Sequence, residues 1–597
     1  MHEFGLPALY HVPADANLTD LIERNAARHP DLTVISRKVG GRWRDVTASQ
    51  FRNEVWATAK GLIANGIQAG DRVAVMSRTR YEWTLLDFAI WCAGAVTVPV
   101  YETSSSEQVQ WIVSDSGAVA VVTETDNHTV VVATVRDQLP KLTHTWQIDA
   151  GAVATLTTEG ARISDTAVAE RRATLSADAL ATIVYTSGTT GRPKGCQLTH
   201  GNFLAELGNI TARMPTLFRT GESSVLLFLP LAHVLGRIAE VAAAYVPVDI
   251  AHVSDVKDVT AELGAFRPTL ILGVPRVFEK VYNTARVRAQ LAGRGRIFDS
   301  AAAAAIAYSR GQDSGRIPLP LRIRHALFDR LVYRRLRTAL GGRATHAISG
   351  GAPLGERLGH FYRGVGFTVL EGYGLTETCA AATFNPDDRP KIGTVGQPLP
   401  GSSVRIDDDG EILLRGPNVF TGYWNNPHAT ADTFRDGWFA TGDLGTLDDD
   451  GYLTIIGRKK EIIVTAAGKN VAPAMIEDRI RAHAIIGEVI VLGDGKPFIS
   501  CLVTIDTEHF PTWKQLNGKP ADATIADLAS DADLLAAVQA AIDDGNQAVS
   551  QAEAIRKFRL LHTELTEANG YITPSLKLKR NIVLRDFAME IHAMYSE

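Results

Sequence analysis

Short apolar runs separated by helical patterns fill the first part of the chain, and this alternation restricts the fold more than any other feature. Strands are expected at Val73–Met76 and Ala95–Val98, on either side of a helix at Tyr81–Ala93. The pattern recurs at Ala118–Val122, Ile183–Tyr185, Ser224–Phe228, Leu270–Leu272 and His346–Ser349. Parallel strands cannot be joined by a tight turn and need a long crossover, so the spacing predicts parallel sheets built from βαβ units. Two helices are expected ahead of them. One starts at Asn17 and Asp20, places Leu18, Leu21, Ile22 and Ala26 on one face and ends near Pro30; the other covers about Ala48–Ala64.

From Val404 the texture changes to short strands divided by the acidic turns Asp407–Gly410 and Asp448–Gly451. Neither turn has the ligand spacing or terminal glutamate of a calcium loop, so both read as hairpin turns. Beyond Gly457 lies a further α/β segment with a helix at Ala472–His483 and a strand at Glu488–Leu492. The alanine-rich stretch Ala521–Ile555 reads as one or two surface helices.

Bulk properties exclude several classes. The 597 residues have ample length for a buried core, and 45% hydrophobic with 21% charged content places the chain among globular proteins of ordinary solubility. A formal net charge of -5 gives no general attraction to nucleic acid. The four cysteines, Cys92, Cys196, Cys379 and Cys501, are scattered, which favours a reducing compartment over a disulfide framework or a zinc site. The N-terminus lacks secretory features, and the longest apolar run, Phe88–Val100, is too short to span a bilayer. A cytoplasmic location is therefore expected. Peripheral membrane contact stays open, because Leu319–Leu340 sets six arginines among Leu321, Ile323, Phe328, Leu331, Val332 and Leu336.

Chemistry is concentrated in Tyr185–Gly195. Four serine or threonine hydroxyls, three glycines and Lys194 lie within these eleven residues, directly after the apolar run Leu180–Val184. Glycines let backbone N–H groups face a polyanion, hydroxyls add donors and a lysine adds a point charge, so the loop reads as a phosphate cradle. It is not a P-loop, which has glycine directly before the lysine and Ser or Thr directly after it. Further polar stretches follow in order: Leu229–His233, Ser349–Pro353, Glu371–Thr378, Asp436–Asp443 and Gly457–Ile463, with Gly468, Lys469 and Asn470 just downstream.

Together and in this order, these stretches resemble the adenylate-forming enzymes, which include acyl-CoA synthetases, peptide-synthetase adenylation domains and firefly luciferase. Asp436–Glu477 and the insertion Val281–Gly342 look most like the long-chain fatty acyl-CoA synthetases. The resemblance implies an α/β protein. A large N-terminal domain over residues 1–457 has two doubly wound sheets and a small β-barrel-like subdomain, and residues 458–597 form a smaller mobile α/β domain. It implies ATP, Mg²⁺ and coenzyme A as partners of a long-chain fatty acid, activated through an acyl-adenylate. A fatty acyl-AMP ligase that loads a carrier protein is the alternative.

The roles implied are as follows. Thr186, Ser187, Thr189 and Lys194 hold the β- and γ-phosphates within the loop that also contains Gly188, Thr190 and Gly191. Tyr373, between Gly372 and Gly374, stacks on adenine against Gly351, Ala352 and Pro353. Glu377 binds Mg²⁺ and Thr376 touches the α-phosphate. Asp443 accepts from the ribose hydroxyls with Arg458 assisting, and Lys460 is the hinge. Lys577, with Lys579 as the alternative, is the cation placed between carboxylate and phosphate. His233 and Gly350 border the acyl tunnel, Ala242, Ala243 and Ala244 leave room for methylenes, and Gly468, Lys469 and Asn470 belong to the loop on the coenzyme A side.

Overall fold

Strands Leu270–Gly273, His346–Ser349 and Thr368–Tyr373 run side by side and parallel, with Leu270 opposite His346 and His346 opposite Thr368. Ser224–Leu227, Asp249–His252 and Thr33–Val39 continue the parallel run into a nine-stranded sheet. Short antiparallel strands finish both edges of it. The structure, a computed structural model, describes residues 2–186, 192–255, 257–567, 569–573 and 578–596.

The seven-stranded second sheet has a parallel centre of Leu180–Thr186, Val96–Val100, Arg72–Met76, Ala120–Thr123 and His144–Gln147. Parallel strands covered by helices on both faces read as continuous apolar runs, and Val73, Ala74, Val75 and Met76 are all buried. The expected crossover helix is present at Tyr81–Cys92 and the earlier one at Ala48–Ala64. The expected β-barrel-like unit is a six-stranded antiparallel sheet that includes Ser403–Ile406, Glu411–Arg415, Trp438–Leu447 and Leu453–Arg458. Both acidic turns are hairpin connections within it, with Gly410 and Gly451 at positive φ.

A separate core begins at Ile463, beneath a three-stranded sheet of Ile486–Leu492, Ile499–Ile505 and Ile555–Leu560. The stretch expected as one or two surface helices contains one, Ala532–Asn546, and it is not confined to the surface. Leu534, Val538 and Ala541 recur at helical spacing, are buried, and belong to this core together with Ile476 and Ile480 of helix Pro473–Arg481. The basic segment is helical over Leu319–Phe328 and Arg334–Ala339 with a π-turn at Asp329–Tyr333 between them. No helix among the described residues is long and apolar enough to cross a membrane.

One buried ion pair joins the two parallel-sheet layers. Arg237, on helix Val234–Tyr245, donates to Asp87 of helix Tyr81–Cys92 at 2.6 Å and to the Thr182 hydroxyl at 2.5 Å, and both charged side chains are fully buried. Trp83 and Trp91 flank the guanidinium at 5.4 and 5.5 Å. Burial raises the carboxyls of both Asp87 and the neighbouring Glu240, Glu240 well above its usual range, with the Arg237 charge opposing the shift in each. Removing one partner strands the other charge in a dry interior. Arg237→Met should therefore cost about 3–5 kcal/mol, read as a lower denaturation midpoint for the large unit, and adding Asp87→Leu should recover most of the loss.

Candidate active site

Four of the polar stretches leave the ends of parallel strands. Leu229–His233 follows Ser224–Leu227, Gly350–Pro353 follows His346–Ser349, and Gly374–Glu377 follows Thr368–Tyr373. Thr186 is the last residue of its own strand in the other sheet. Chains leaving the carboxyl ends of parallel strands leave a crevice between them where ligands bind. Here they border a cleft of about 2130 Å³ whose walls also include Asp443, Arg458, Lys460 and Lys579.

Asp443 is the polar node of this cleft. It lies opposite Arg458 in the antiparallel register, forms an ion pair with it at 2.9 Å and accepts from the Tyr373 hydroxyl at 2.7 Å. Its backbone N–H is held by the Thr441 hydroxyl at 3.0 Å. Burial and the charge of Asp443 keep the Tyr373 phenol well above its normal range, so it remains a donor. Glu371, two residues before Tyr373 and opposite Ser349 in register, accepts the Leu354 N–H at 2.9 Å and so anchors the end of the Gly351–Pro353 loop.

At the Thr186 end of the cleft, strands Leu180–Thr186 and Lys194–Thr199 pair antiparallel, with Thr186 and Lys194 as cross-strand partners. Ser187, Gly188, Thr189, Thr190 and Gly191 lie outside the described residues. The Lys194 ammonium stands 4.9 Å from the centre of the Tyr423 ring, and the Tyr423 hydroxyl donates to Glu377 at 2.8 Å. Tyr423 thus connects the loop lysine to the candidate metal carboxylate, and the sequence reading missed it. Its only local signal was an aromatic pair, Tyr423 and Trp424, just after Gly422.

Glu377 suits a hard divalent cation. Its carboxylate is half-buried, one oxygen is taken by a neutral hydroxyl, and no ion pair to it is formed among the described residues. No cluster of three acidic, histidine or cysteine ligands exists among them either. Magnesium is commonly held by one or two carboxylates together with substrate phosphates and water, which matches this donor set.

The turn after Glu377 is strained. Cys379 and Ala380 have φ of 58° and 117° without being glycine, a conformation worth about 1–3 kcal/mol per residue. Gly374 meets this turn so closely that an added Cβ would lie 1.8 Å from the Ala380 carbonyl oxygen.

His233 caps helix Val234–Tyr245, its Nδ1 accepting the Leu235 N–H at 3.1 Å. The same helix turns Ile238, Ala239, Ala242 and Ala243 to the cleft, facing Ile210 and Leu270. Ala244, expected beside them, is not part of this wall. It sits two positions round the helix from Ala242, where its carbonyl accepts from Asn25 at 2.7 Å. Gly350 borders the cleft as expected.

From the smaller unit, Thr573, Leu578, Lys579 and Arg580 reach the cleft, whereas Lys577 lies outside the described residues. Arg580 pins this segment by donating to the Val491 carbonyl at 2.9 Å and to Glu477. Lys460 borders the cleft, and its neighbour Lys459 is tied to Asp409 and Glu411. Gly468, Lys469 and Asn470 form a hairpin tip outside the cleft wall, with Lys469 3.6 Å from Glu553. Exposed pairs such as Arg276–Glu488 at 3.4 Å and Lys280–Glu508 at 2.7 Å join the two units.

Two parallel sheets with a shared strand-end cleft and a smaller unit reaching into it define an α/β ligand-binding enzyme architecture. The chain belongs to the AMP-binding enzyme family: the model of that family matches residues 22–424, and that of the AMP-binding enzyme C-terminal domain matches residues 460–597. It is 52% identical over 600 residues to the long-chain-fatty-acid–CoA ligase FadD15 of Mycobacterium tuberculosis, covering all of both chains. It is 27% identical to the long-chain-fatty-acid–CoA ligase ACSBG2 of Rattus norvegicus, covering 97% of this chain and 93% of that one. Among solved structures, ATP-bound MatB of Rhodopseudomonas palustris superposes with a TM-score of 0.69 at 25% identity, covering 96% of this chain and 99% of that one. A Mycobacterium tuberculosis fatty acyl CoA synthetase shares the fold, with a TM-score of 0.61 at 23% identity over 96% of this chain and 99% of that one.

The cleft has its own pH signature. Burial pushes the Glu371 carboxyl up to about 7, with the Leu354 N–H opposing the shift and Asp478 adding to it. Between the ordinary carboxylate range and that value, the folded protein holds a proton that the unfolded chain has released, so stability falls as pH rises through this window. Glu371→Gln keeps the acceptor for Leu354 and removes the titration. It should leave stability unchanged near pH 4 and raise it near pH 8, by up to about 3 kcal/mol at 1.36 kcal/mol per unit, read as a higher melting temperature at the higher pH only.

Proposed function

We propose that the protein is an ATP-dependent long-chain fatty acid:CoA ligase that forms an acyl-adenylate and then a thioester. The observation that carries this reading is the continuity of one cleft. Its polar end holds Lys194, Glu377, Asp443 and Arg458, and its apolar branch runs past His233 to Ala242 and Ile210. Full-length 52% identity to a long-chain-fatty-acid–CoA ligase supports the same substrate class.

In this reading, residues 1–457 bind ATP and the fatty acid, and residues 458–597 form a mobile lid that turns at Lys460. Tyr373 and the Gly351–Pro353 loop take the adenine, while Asp443, oriented by Arg458, accepts from the ribose hydroxyls. Thr186, Lys194 and the intervening loop hold the β- and γ-phosphates, and Thr376 contacts the α-phosphate. Magnesium, when bound at Glu377, neutralises phosphate charge. The fatty carboxylate attacks the α-phosphorus and pyrophosphate leaves. Nucleophile and target are both anionic, and Lys577 supplies the cation between them. His233 acts as a gate and not as a base, because a carboxylate is already ionised at neutral pH and its Nδ1 accepts the Leu235 N–H.

The thiol of coenzyme A then attacks the acyl carbonyl and expels AMP, after the lid has turned to bring Gly468, Lys469 and Asn470 to the cleft. Exposed ion pairs are worth little individually, so the contacts around Arg276 and Lys280 are readily exchanged for others. A panel of acids assayed for both pyrophosphate and thioester tests the assignment. Both products from long-chain acids are expected, and pyrophosphate without thioester would instead indicate transfer to a carrier protein. Lys577→Ala should remove adenylation while preserving thioester formation from a supplied acyl-adenylate, and full adenylation in that variant would pass the role to Lys579.

Peripheral contact with an anionic membrane surface belongs to the same reading. Leu319, Ile323, Leu327 and Leu331 recur every four residues and are 67%, 64%, 56% and 51% exposed. Exposed Arg322, Arg330, Arg334 and Arg335 accompany them, and the one acid of the segment, Asp329, is paired with Arg337 at 2.7 Å. Apolar residues with an arginine border suit insertion at the headgroup boundary. Sedimentation with anionic vesicles should be lost on Arg334→Glu with Arg335→Glu, and unchanged sedimentation would remove this part of the reading.

A further inference from the structure

Glu377 precedes a turn that its own sequence does not favour. Cys379 and Ala380 occupy the left-handed side of backbone space at φ of 58° and 117°, where residues with a Cβ are rare. Within the turn, Thr378 closes on itself by accepting the Leu375 N–H at 2.8 Å, and the Cys379 and Ala380 N–H groups return to the Thr376 and Leu375 carbonyls at 3.1 and 3.2 Å. These local bonds leave the Thr378 and Ala381 carbonyls and the Ala381 N–H to be satisfied from outside.

Two buried side chains satisfy them. Asn418, 2% exposed, donates to the Thr378 carbonyl at 3.1 Å and to the Ala381 carbonyl at 2.8 Å. Its own oxygen accepts from the Ser402 hydroxyl at 2.9 Å, which fixes the orientation of the amide. Glu206, 1% exposed on helix His200–Arg213, accepts the Ala381 N–H at 3.0 Å. The two share a mount: Asn202, on the same helix, donates to the Pro417 and Val419 carbonyls at 2.8 and 3.1 Å, on either side of Asn418. Continuing along this segment, the Phe420 N–H donates to the Glu377 carbonyl at 2.7 Å and Tyr423 reaches its carboxylate.

We infer that Asn418 and Glu206 are positioning residues for Glu377, acting through the backbone of turn 378–381 to hold its carboxylate at the phosphate end of the cleft. The inference rests on the reading of Glu377 as the residue that takes Mg²⁺ with ATP. Backbone strain survives where surrounding structure over-determines it, and it collects at functional sites. Both brackets reach the turn from elements that also carry cleft residues, so the position of the carboxylate is set by the helix 200–213 and the segment 417–423 together. Burial holds the Glu206 carboxyl well above its usual range despite the Ala381 N–H, so it is a neutral acceptor that glutamine can replace.

The test uses the full chain with Asn418→Leu, Glu206→Leu, Glu206→Gln and Glu377→Gln. Four quantities are read: melting temperature, amide hydrogen exchange across 378–382, ATP affinity by calorimetry with and without Mg²⁺, and the two half-reactions separately. Asn418→Leu and Glu206→Leu should lose exchange protection in the turn and lose about tenfold or more of the magnesium-dependent part of ATP affinity, the scale on which partners of metal ligands act. ATP–pyrophosphate exchange should fall in parallel, thioester formation from preformed acyl-adenylate should persist, and Glu206→Gln should match the wild type. Lost protection with an unchanged magnesium dependence would overturn the inference, leaving both residues with a purely structural part. If Glu377→Gln itself keeps the wild-type magnesium dependence, the reading of Glu377 fails and takes the inference with it. Should Asn418→Leu not fold, the contrast between Glu206→Leu and Glu206→Gln decides alone.

Discussion

Parallel strands must all release their chains at the same edge, and in this protein that constraint places the chemistry. The nine-stranded sheet delivers Leu229–His233, Gly350–Pro353 and Gly374–Glu377 to one edge, and the seven-stranded sheet delivers Thr186 to the same cleft. Strands buried on both faces are mostly apolar along their length, so polar residues concentrate where the backbone leaves the sheet. The relation between the two layers is therefore critical, and the buried pair of Arg237 with Asp87 and Thr182 holds it. The helix that carries Arg237 is capped by His233 and turns its small residues to the cleft, so one element couples interlayer packing to the apolar wall of the cleft.

The cleft is then completed by side chains from elements with no role in either parallel sheet. Asp443 and Arg458 face each other across two strands of the antiparallel sheet, and Tyr373 reaches Asp443 from the edge of the nine-stranded one. Arg458 directly precedes Lys459 and Lys460, so the strand that ends the larger unit also begins the connection to the smaller one. Asp443, buried and bonded to both Tyr373 and Arg458, fixes the polar end of the cleft, while ion pairs of low individual worth join the two units.

Buried carboxyls recur through this architecture. Glu206, Glu240 and Glu371 are all enclosed, and burial raises each above the ordinary carboxylate range. Glu206 and Glu371 each accept a backbone N–H from a loop that shapes the cleft. A carboxyl held in its protonated form costs less to bury than an ionised one, and in either form it supplies an acceptor at a point where the chain has left regular structure. The loops after the strands are thereby given fixed positions that their own sequences do not specify.

The sequence alone determined the parallel-sheet class, because strand and helix periodicities are local and crossovers follow from chain geometry. It also determined the order of the polar stretches, and with it the positions of Lys194, Tyr373, Glu377, Asp443 and Arg458. It did not reveal Tyr423, Asn418 or Glu206, since a tyrosine, an amide and an acid inside apolar neighbourhoods carry no periodic signal. The expectation for Ala244 failed for a related reason: neighbouring helix positions differ by about 100° of rotation, and only packing chose which face met the cleft. Likewise, the alanine-rich stretch 521–555 revealed its buried face only once helix 532–546 had a partner in helix 473–481. Tertiary structure decided which groups meet, because contacts between residues far apart in the chain depend on how its layers pack, and no local pattern encodes that.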